Sequence, residues 1–329
     1  MKKNIINILG VVITFALICI GTTKLGYWVR PLDTDGAYQQ IETFHSLPKD
    51  SVEVIVYGSS YAFRGLNIME MYKNYGIGAY NYAWHWQRIN TTKVFMEDSF
   101  LSQTPKLAVV EVSHVGKVLE DCDINAEIYY SRYLHDKKDV RRYLKKCFQG
   151  DIERYLSYYM PLCAFHDNWN TLTRSSIRPL SKGEFYLDNM GFYPSNTVCP
   201  ITIPDYTLFQ QIPLEETALQ ELDEIVEACK SNGVDILFYK VPYGGEFCWN
   251  NAMEQYAEEN GYVYLNLFEY IDEIGIDENT DFYDIGHLNT SGATKVANFL
   301  GKYIAEHYEV TDMRKVSGNI WEKVNDTVK

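Results

Sequence analysis

The chain is short of positive charge: 30 Lys and Arg stand against 44 Asp and Glu, a formal net charge of −14, and no basic stripe interrupts the 329 residues. Phosphate backbones require a local concentration of Lys and Arg, so nucleic acid is excluded as a partner. Metal-ligand spacing is missing as well. The seven cysteines (Cys19, Cys122, Cys147, Cys163, Cys199, Cys229 and Cys248) form no Cys-x-x-Cys pair and have no His beside them at zinc spacing, which argues against a structural zinc. They read as buried thiols; the six beyond Cys19 could in principle pair in an oxidising compartment, but their spacing dictates no connectivity. Internal repeats and low-complexity tracts are absent. With 46% hydrophobic and 22% charged residues, the composition is that of a globular chain long enough for one large domain or two small ones.

Charge is also missing from Asn4 to Thr23, a run of Ile, Leu, Val, Phe and Ala between Lys2-Lys3 and Lys24. Twenty residues at about 1.5 Å each span the roughly 30 Å hydrocarbon core once. The end of the run, Leu17-Ile18-Cys19-Ile20-Gly21, lacks the small residues a signal peptidase needs, so an uncleaved anchor is expected. Ile18 before Cys19 disfavours a lipid-modified cysteine. Tyr27 and Trp28 follow at headgroup depth, and the paired lysines place the N-terminus in the cytoplasm with the rest of the chain outside.

Residues 1–24 are therefore read as the transmembrane anchor, 25–50 as a connector with a helical turn or two, 51–310 as the folded domain and 311–329 as a polar, loosely ordered tail. Strand and helix patterns alternate through the domain. Glu53–Tyr57, Ala79–Ala83 and Leu107–Val112 read as strands, with helices over Gly65–Tyr75 and Arg88–Ser102. From about 117 to 213 the rhythm breaks into an insertion rich in Tyr, Arg, Trp and His. It then resumes with a helix over Leu214–Lys230, a strand over Val234–Val241, a helix over Glu246–Glu259 and a strand over Tyr262–Leu267. A closing helix follows over Ser291–Glu309, with Thr290 as its expected N-cap. Such alternation builds a three-layer α/β/α sandwich around a five-stranded, mostly parallel sheet. Ligands bind these sheets beyond the carboxyl ends of the strands.

Two short blocks fall at that edge. Gly58-Ser59-Ser60 ends the first strand, and Asp284-Ile285-Gly286-His287 lies in the loop after the fifth. A serine hydroxyl needs a histidine to take its proton and a carboxylate to fix the histidine tautomer. Ser60, His287 and Asp284 can fill those roles. A serine between a buried strand and a helix also leaves its own N–H open to an oxyanion. Each block alone is a commonplace turn, and their joint occurrence carries the reading. Gly58-Ser59-Ser60-Tyr61-Ala62 also brushes the α/β-hydrolase elbow, but that fold sets several strands before its nucleophile, whereas this serine ends the first.

From Ser51 to Glu309 the chain resembles the SGNH/GDSL hydrolase superfamily, with Gly58-Ser59-Ser60 in place of the nucleophile block and Asp284 to His287 in place of the late Asp-x-x-His block. The resemblance implies a flavodoxin-like SGNH fold, Ser60 as nucleophile, His287 as general base, Asp284 as its orienting partner, and no metal or organic cofactor. With the N-terminal anchor, the chain is most similar to the membrane-tethered branch that includes teichoic-acid D-alanylation proteins and alginate-type O-acetyltransferases. That branch implies an acylated glycan or related envelope polymer as substrate and admits an acyl-exporting membrane protein as partner. Tyr80-Asn81 resembles the opening of the branch's second block. No Gly-x-Asn-Asp follows, so the oxyanion or substrate-binding candidates are Asn81, Gln87, Ser113 and His114. A lipid or small-ester hydrolase, and a non-catalytic envelope-assembly protein that keeps the fold, are the alternatives.

Aromatic residues crowd the insertion: Tyr129, Tyr130, Tyr133, Tyr143, Tyr155, Tyr158, Tyr159 and Trp169. Their faces suit sugar rings, but packing is the expected use of most. Arg132, Arg141 and Arg142, interleaved with Lys137-Lys138 and acidic residues, read as a solvated helix face.

Overall fold

The computed structural model describes residues 2–30, 34–116, 130–174, 185–242 and 248–327. Lys117, Cys122, Tyr129 and Glu246 lie outside the described residues. Helix α1 (Lys2–Trp28) contains the stretch Ile5–Gly26, which is long and apolar enough to cross a membrane. Helix α2 (Thr34–Ser46) leads to strand β1 (Val54–Tyr57), then α3 (Ser60–Gly65), α4 (Ile68–Tyr75), β2 (Ala79–Asn81), α5 (Ile89–Ser99) and β3 (Leu107–Glu111). The insertion contributes α6 (Lys137–Phe148), α7 (Ile152–Tyr159), α8 (Pro161–Phe165), a 3-10 turn at His166–Thr171 and the short α9 (Phe185–Asp188). The chain resumes with α10 (Glu216–Ser231), β4 (Asp235–Lys240), α11 (Asn250–Asn260), β5 (Val263–Asn266) and α12 (Ile271–Ile274). It closes with the hairpin β6 (Phe282–Asp284) and β7 (His287–Leu288), then α13 (Thr290–His307) and α14 (Ile320–Thr327).

The main sheet has five parallel strands in the order β2-β1-β3-β4-β5. Val54 pairs with Ala79 on one side and Leu107 on the other, so β1 sits inside the sheet, and all four of its side chains are buried. That explains its unbroken apolar run: a strand covered on both faces has no solvent side on which to alternate. Helix α4 packs with α13, and α5 with α10 and α6, the two groups expected on opposite faces of a parallel sheet whose crossovers are right-handed. The chain is thus an α/β/α sandwich with the strand order of a flavodoxin-like fold.

Beyond shifts of a few residues at element ends, the structure differs from the sequence reading at several places. The helix expected over Gly65–Tyr75 is two helices, because Leu66 and Asn67 take extended backbone between α3 and α4. Thr290 is the first helical residue of α13 rather than its cap. Asn289 caps it, its Oδ1 accepting from the N–H groups of Ser291 and Gly292, while the Thr290 hydroxyl donates to the Ser195 carbonyl at 2.9 Å. The connector holds α2, which buries Ala37, Ile41 and Phe44 in the core, and Phe44 stacks on Tyr82 at 4.3 Å. His45 of α2 meets the buried Asp98 carboxylate at 2.7 Å, and the same carboxylate accepts from the Tyr82 hydroxyl and the Asp136 N–H, each at 2.7 Å. One carboxylate thereby ties connector, second strand and insertion together. The tail, finally, docks through Trp321 and Val324 of α14, both in the main core.

Within the insertion, Tyr130, Tyr143 and Tyr158 are buried and Tyr133 and Tyr155 pack partly against the core, whereas Tyr159 and Trp169 face outward. Arg142 pairs with Asp139 at 2.7 Å and the Arg132 guanidinium lies over Tyr158.

Candidate active site

The first strand ends in a turn that only glycine fits. Gly58 has φ +140°, and a Cβ there would sit 2.7 Å from the Glu111 Cβ on the neighbouring strand. Ser59 then caps α3, its hydroxyl accepting the Tyr61 N–H at 3.3 Å, and Ser60 opens the helix. That geometry turns Ser60 toward the carboxyl edge of the sheet and leaves its N–H among those a helix cannot satisfy internally. Gly58→Ala is expected to cost roughly 2 kcal/mol of stability. It should also lower ester turnover by shifting Ser60. Denaturant midpoints at unchanged slope measure the first effect, and an unmoved midpoint would show that the turn relaxes freely.

The second block arrives on the β6-β7 hairpin, where Asp284 and His287 are paired residues. The Ser60 Oγ lies 2.8 Å from His287 Nε2, and His287 Nδ1 lies 2.9 Å and 3.0 Å from the two Asp284 carboxylate oxygens. The Gly286 N–H donates to Asp284 Oδ1 at 2.7 Å, holding the carboxylate toward the imidazole. Burial holds the His287 pKa below its ordinary 6.5, with the Arg64 charge adding to that and Asp284 opposing it. The imidazole is therefore neutral at physiological pH and free to accept a proton.

Of the four candidates for the oxyanion or substrate, three are engaged elsewhere. Asn81 is fully buried, and its Nδ2 donates to the Ala62 carbonyl at 2.9 Å, bracing α3. Gln87 folds back on its own loop, accepting the Trp84 N–H at 2.9 Å and donating to Thr92 Oγ1. Ser113 is buried and its N–H and hydroxyl both donate to Glu111 Oε1. His114 does reach the site's flank. Its ring lies 5.3 Å from Tyr61, which lies 5.3 Å from His287 on the other side, while Trp86 stacks beyond it at 5.7 Å. Trp86, at φ +57°, is 57% exposed and ends this aromatic row.

Several functional neighbours gave no signal in the sequence. Glu111 is buried beneath the Gly58-Ser59 turn; burial pushes its carboxyl up to about 7 against the bonds from Ser113, the charge of Lys240 and the Ser59 hydroxyl. Arg64 lies over the rings of Tyr283 (4.4 Å) and Tyr193 (4.8 Å), joining α3, the hairpin and the insertion. Tyr61 was visible only as the residue after the serine. Among the described residues, no cluster of three or more His, Cys, Asp or Glu side chains converges to hold a metal ion.

No family model matches the sequence, and no curated protein matches it. Among solved structures, a crystal structure of a proposed acylhydrolase from Bacteroides fragilis NCTC 9343 aligns with a TM-score of 0.40 and 10% identity, over 80% of this chain and 93% of that one.

Proposed function

We propose that the protein is a membrane-anchored serine esterase or O-acyltransferase whose domain lies outside the cytoplasm and acts on ester-linked acyl groups of a cell-envelope glycan or related polymer. The observation that carries the reading is the hydrogen-bonded series from Ser60 through His287 to Asp284 at the carboxyl edge of a parallel sheet. His287 Nε2 takes the hydroxyl proton as Ser60 Oγ attacks the acyl carbonyl, and the resulting oxyanion is met by the Ser60 N–H at the start of α3. Collapse expels the donor alkoxide, which takes the proton from the imidazolium. Water or a sugar hydroxyl, deprotonated in turn by His287, then attacks the acyl-serine carbonyl, and Ser60 Oγ is expelled and recovers the proton from the imidazolium. Asp284 accepts from Nδ1 throughout, which keeps Nε2 as the basic nitrogen. What supports a sugar at the acceptor side is the open indole of Trp86 at the end of the aromatic row. The Ile5–Gly26 stretch supports the anchor.

Incubating the protein with an activated acetyl ester and quenching in acid tests the reading. A mass increase of one acetyl group on the peptide containing Ser60 is expected; its absence, or its appearance on another residue, would overturn the nucleophile assignment. The lowered His287 pKa has its own consequence. Activity requires the neutral imidazole, so the acid limb of kcat/KM should fall below 6.5. Replacing Arg64 with Gln removes a charge that disfavours the imidazolium, so that limb should move upward. A limb that stays in place would show that Arg64 does not act on His287.

A further inference from the structure

We propose that α7, α8 and the 3-10 turn after them form a foot that lies in the headgroup layer of a lipid bilayer beside α1. The proposal rests on the anchored reading, because depth is set by the span. Ile5–Gly26 comprises 22 residues. At about 1.5 Å per residue it fills the hydrocarbon core and leaves residues just beyond Gly26 at the interface. Those residues are the ones the insertion grips. Gly26 lies so close to Pro161 and Leu162 that a Cβ would overlap their backbone, Val29 and Phe165 share a small core with Leu162 and Ala164, and Asn168 Nδ2 donates to the Val29 carbonyl at 3.2 Å. Helix α8 and the turn are thus fixed at the same depth as the end of α1.

The side chains exposed there are those an interface accepts. Trp169, next to Asn168, is 69% exposed. On α7, which packs on α8, Ile152, Leu156 and Tyr159 all point outward. Their spacing of four and three residues puts them on one stripe of the helix, while Tyr158 turns into the core from the other side. Such a helix with an apolar stripe and a tryptophan beside it matches the requirements of a monotopic contact. Continuity with α1 selects the bilayer as the occupant of this face. With a net charge of −14, attraction to anionic lipid is not what would hold it, so the contact is apolar and insensitive to salt.

The test uses the full chain in phosphatidylcholine nanodiscs, reading the emission difference between wild type and Trp169→Phe. Lipid brominated high on the acyl chains is expected to remove most of that difference emission, and aqueous iodide little of it, at low and high salt alike. Strong iodide quenching without bromolipid quenching would overturn the foot, as would protection from both, which would place a second copy on the face. Alkaline carbonate extraction of vesicle-reconstituted protein separates the two readings: protein that resists carbonate while Trp169 meets iodide loses the foot alone. Protein released by carbonate loses the span and the foot with it.

Discussion

Replacing Ser60 with alanine is expected to lower ester turnover by on the order of 10⁴-fold or more while leaving the fold intact. The change removes one hydroxyl whose hydrogen bond is the 2.8 Å contact to His287. It spares the helix start, because the capping hydroxyl belongs to Ser59. His287→Ala should cost a similar factor, and the double variant little more, since the two groups act as a unit in one proton transfer. Ser59→Ala is the informative control. It loses a cap of about 1 kcal/mol and the hydroxyl that faces Glu111, but keeps the nucleophile. Turnover on an activated ester, with thermal midpoints measured in parallel, decides between the serines. Undiminished turnover by Ser60→Ala would end the assignment, and a loss confined to Ser59→Ala would transfer it.

The sandwich was legible because its signals are local. Apolar runs such as Leu107 to Val112 and stops such as Asn232-Gly233 mark each element without reference to the others. The pairing of Ser60 with Asp284 and His287 was legible for a related reason: strand ends in a parallel sheet share one edge, so position in the rhythm stands in for position in space. The environment of the site obeys no such rule. Glu111 reads as one polar residue in an apolar strand, and only its approach to Gly58 reveals that its carboxyl is buried beneath the Gly58-Ser59 turn. Asn81, Gln87 and Ser113 are polar residues at the right strand ends. Their side chains are claimed by the Ala62 carbonyl, the Trp84 N–H and Glu111, partners that a linear reading does not bring near. The row from His287 through Tyr61 and His114 to Trp86 joins β7, α3 and the loops after β3 and β2, and its members are spaced irregularly in the chain.

The tail shows the same limit at the opposite edge of the sheet, and truncating Trp321 there should produce the largest loss of stability. Residues past Thr311 are mostly polar, and the three apolar side chains of α14, Ile320, Trp321 and Val324, make too short a pattern to announce a docked helix. Yet Trp321 is fully buried, stacks on Tyr72 at 5.8 Å and donates its Nε1–H to the Ser51 carbonyl at 3.2 Å, just before β1 begins. The intervening segment is latched as well. The Thr311 N–H donates to Glu53 and the Met313 N–H to the Gly76 carbonyl, at 2.6 Å and 2.8 Å. Trp321→Ala is therefore expected to cost about 3–5 kcal/mol through lost burial and the cavity left behind. Trp321→Phe keeps a ring against Tyr72 and loses chiefly the bond to Ser51, so it should cost closer to 1 kcal/mol plus a smaller packing term. Because this end lies across the sheet from Ser60, both variants should retain wild-type kcat below their unfolding transitions. Denaturant midpoints of the full chain in detergent, read beside ester turnover, separate the two effects. An unmoved midpoint for Trp321→Ala would mean that α14 does not hold the start of β1 in solution, whereas a fall in kcat without unfolding would mean that the two edges of the sheet are coupled.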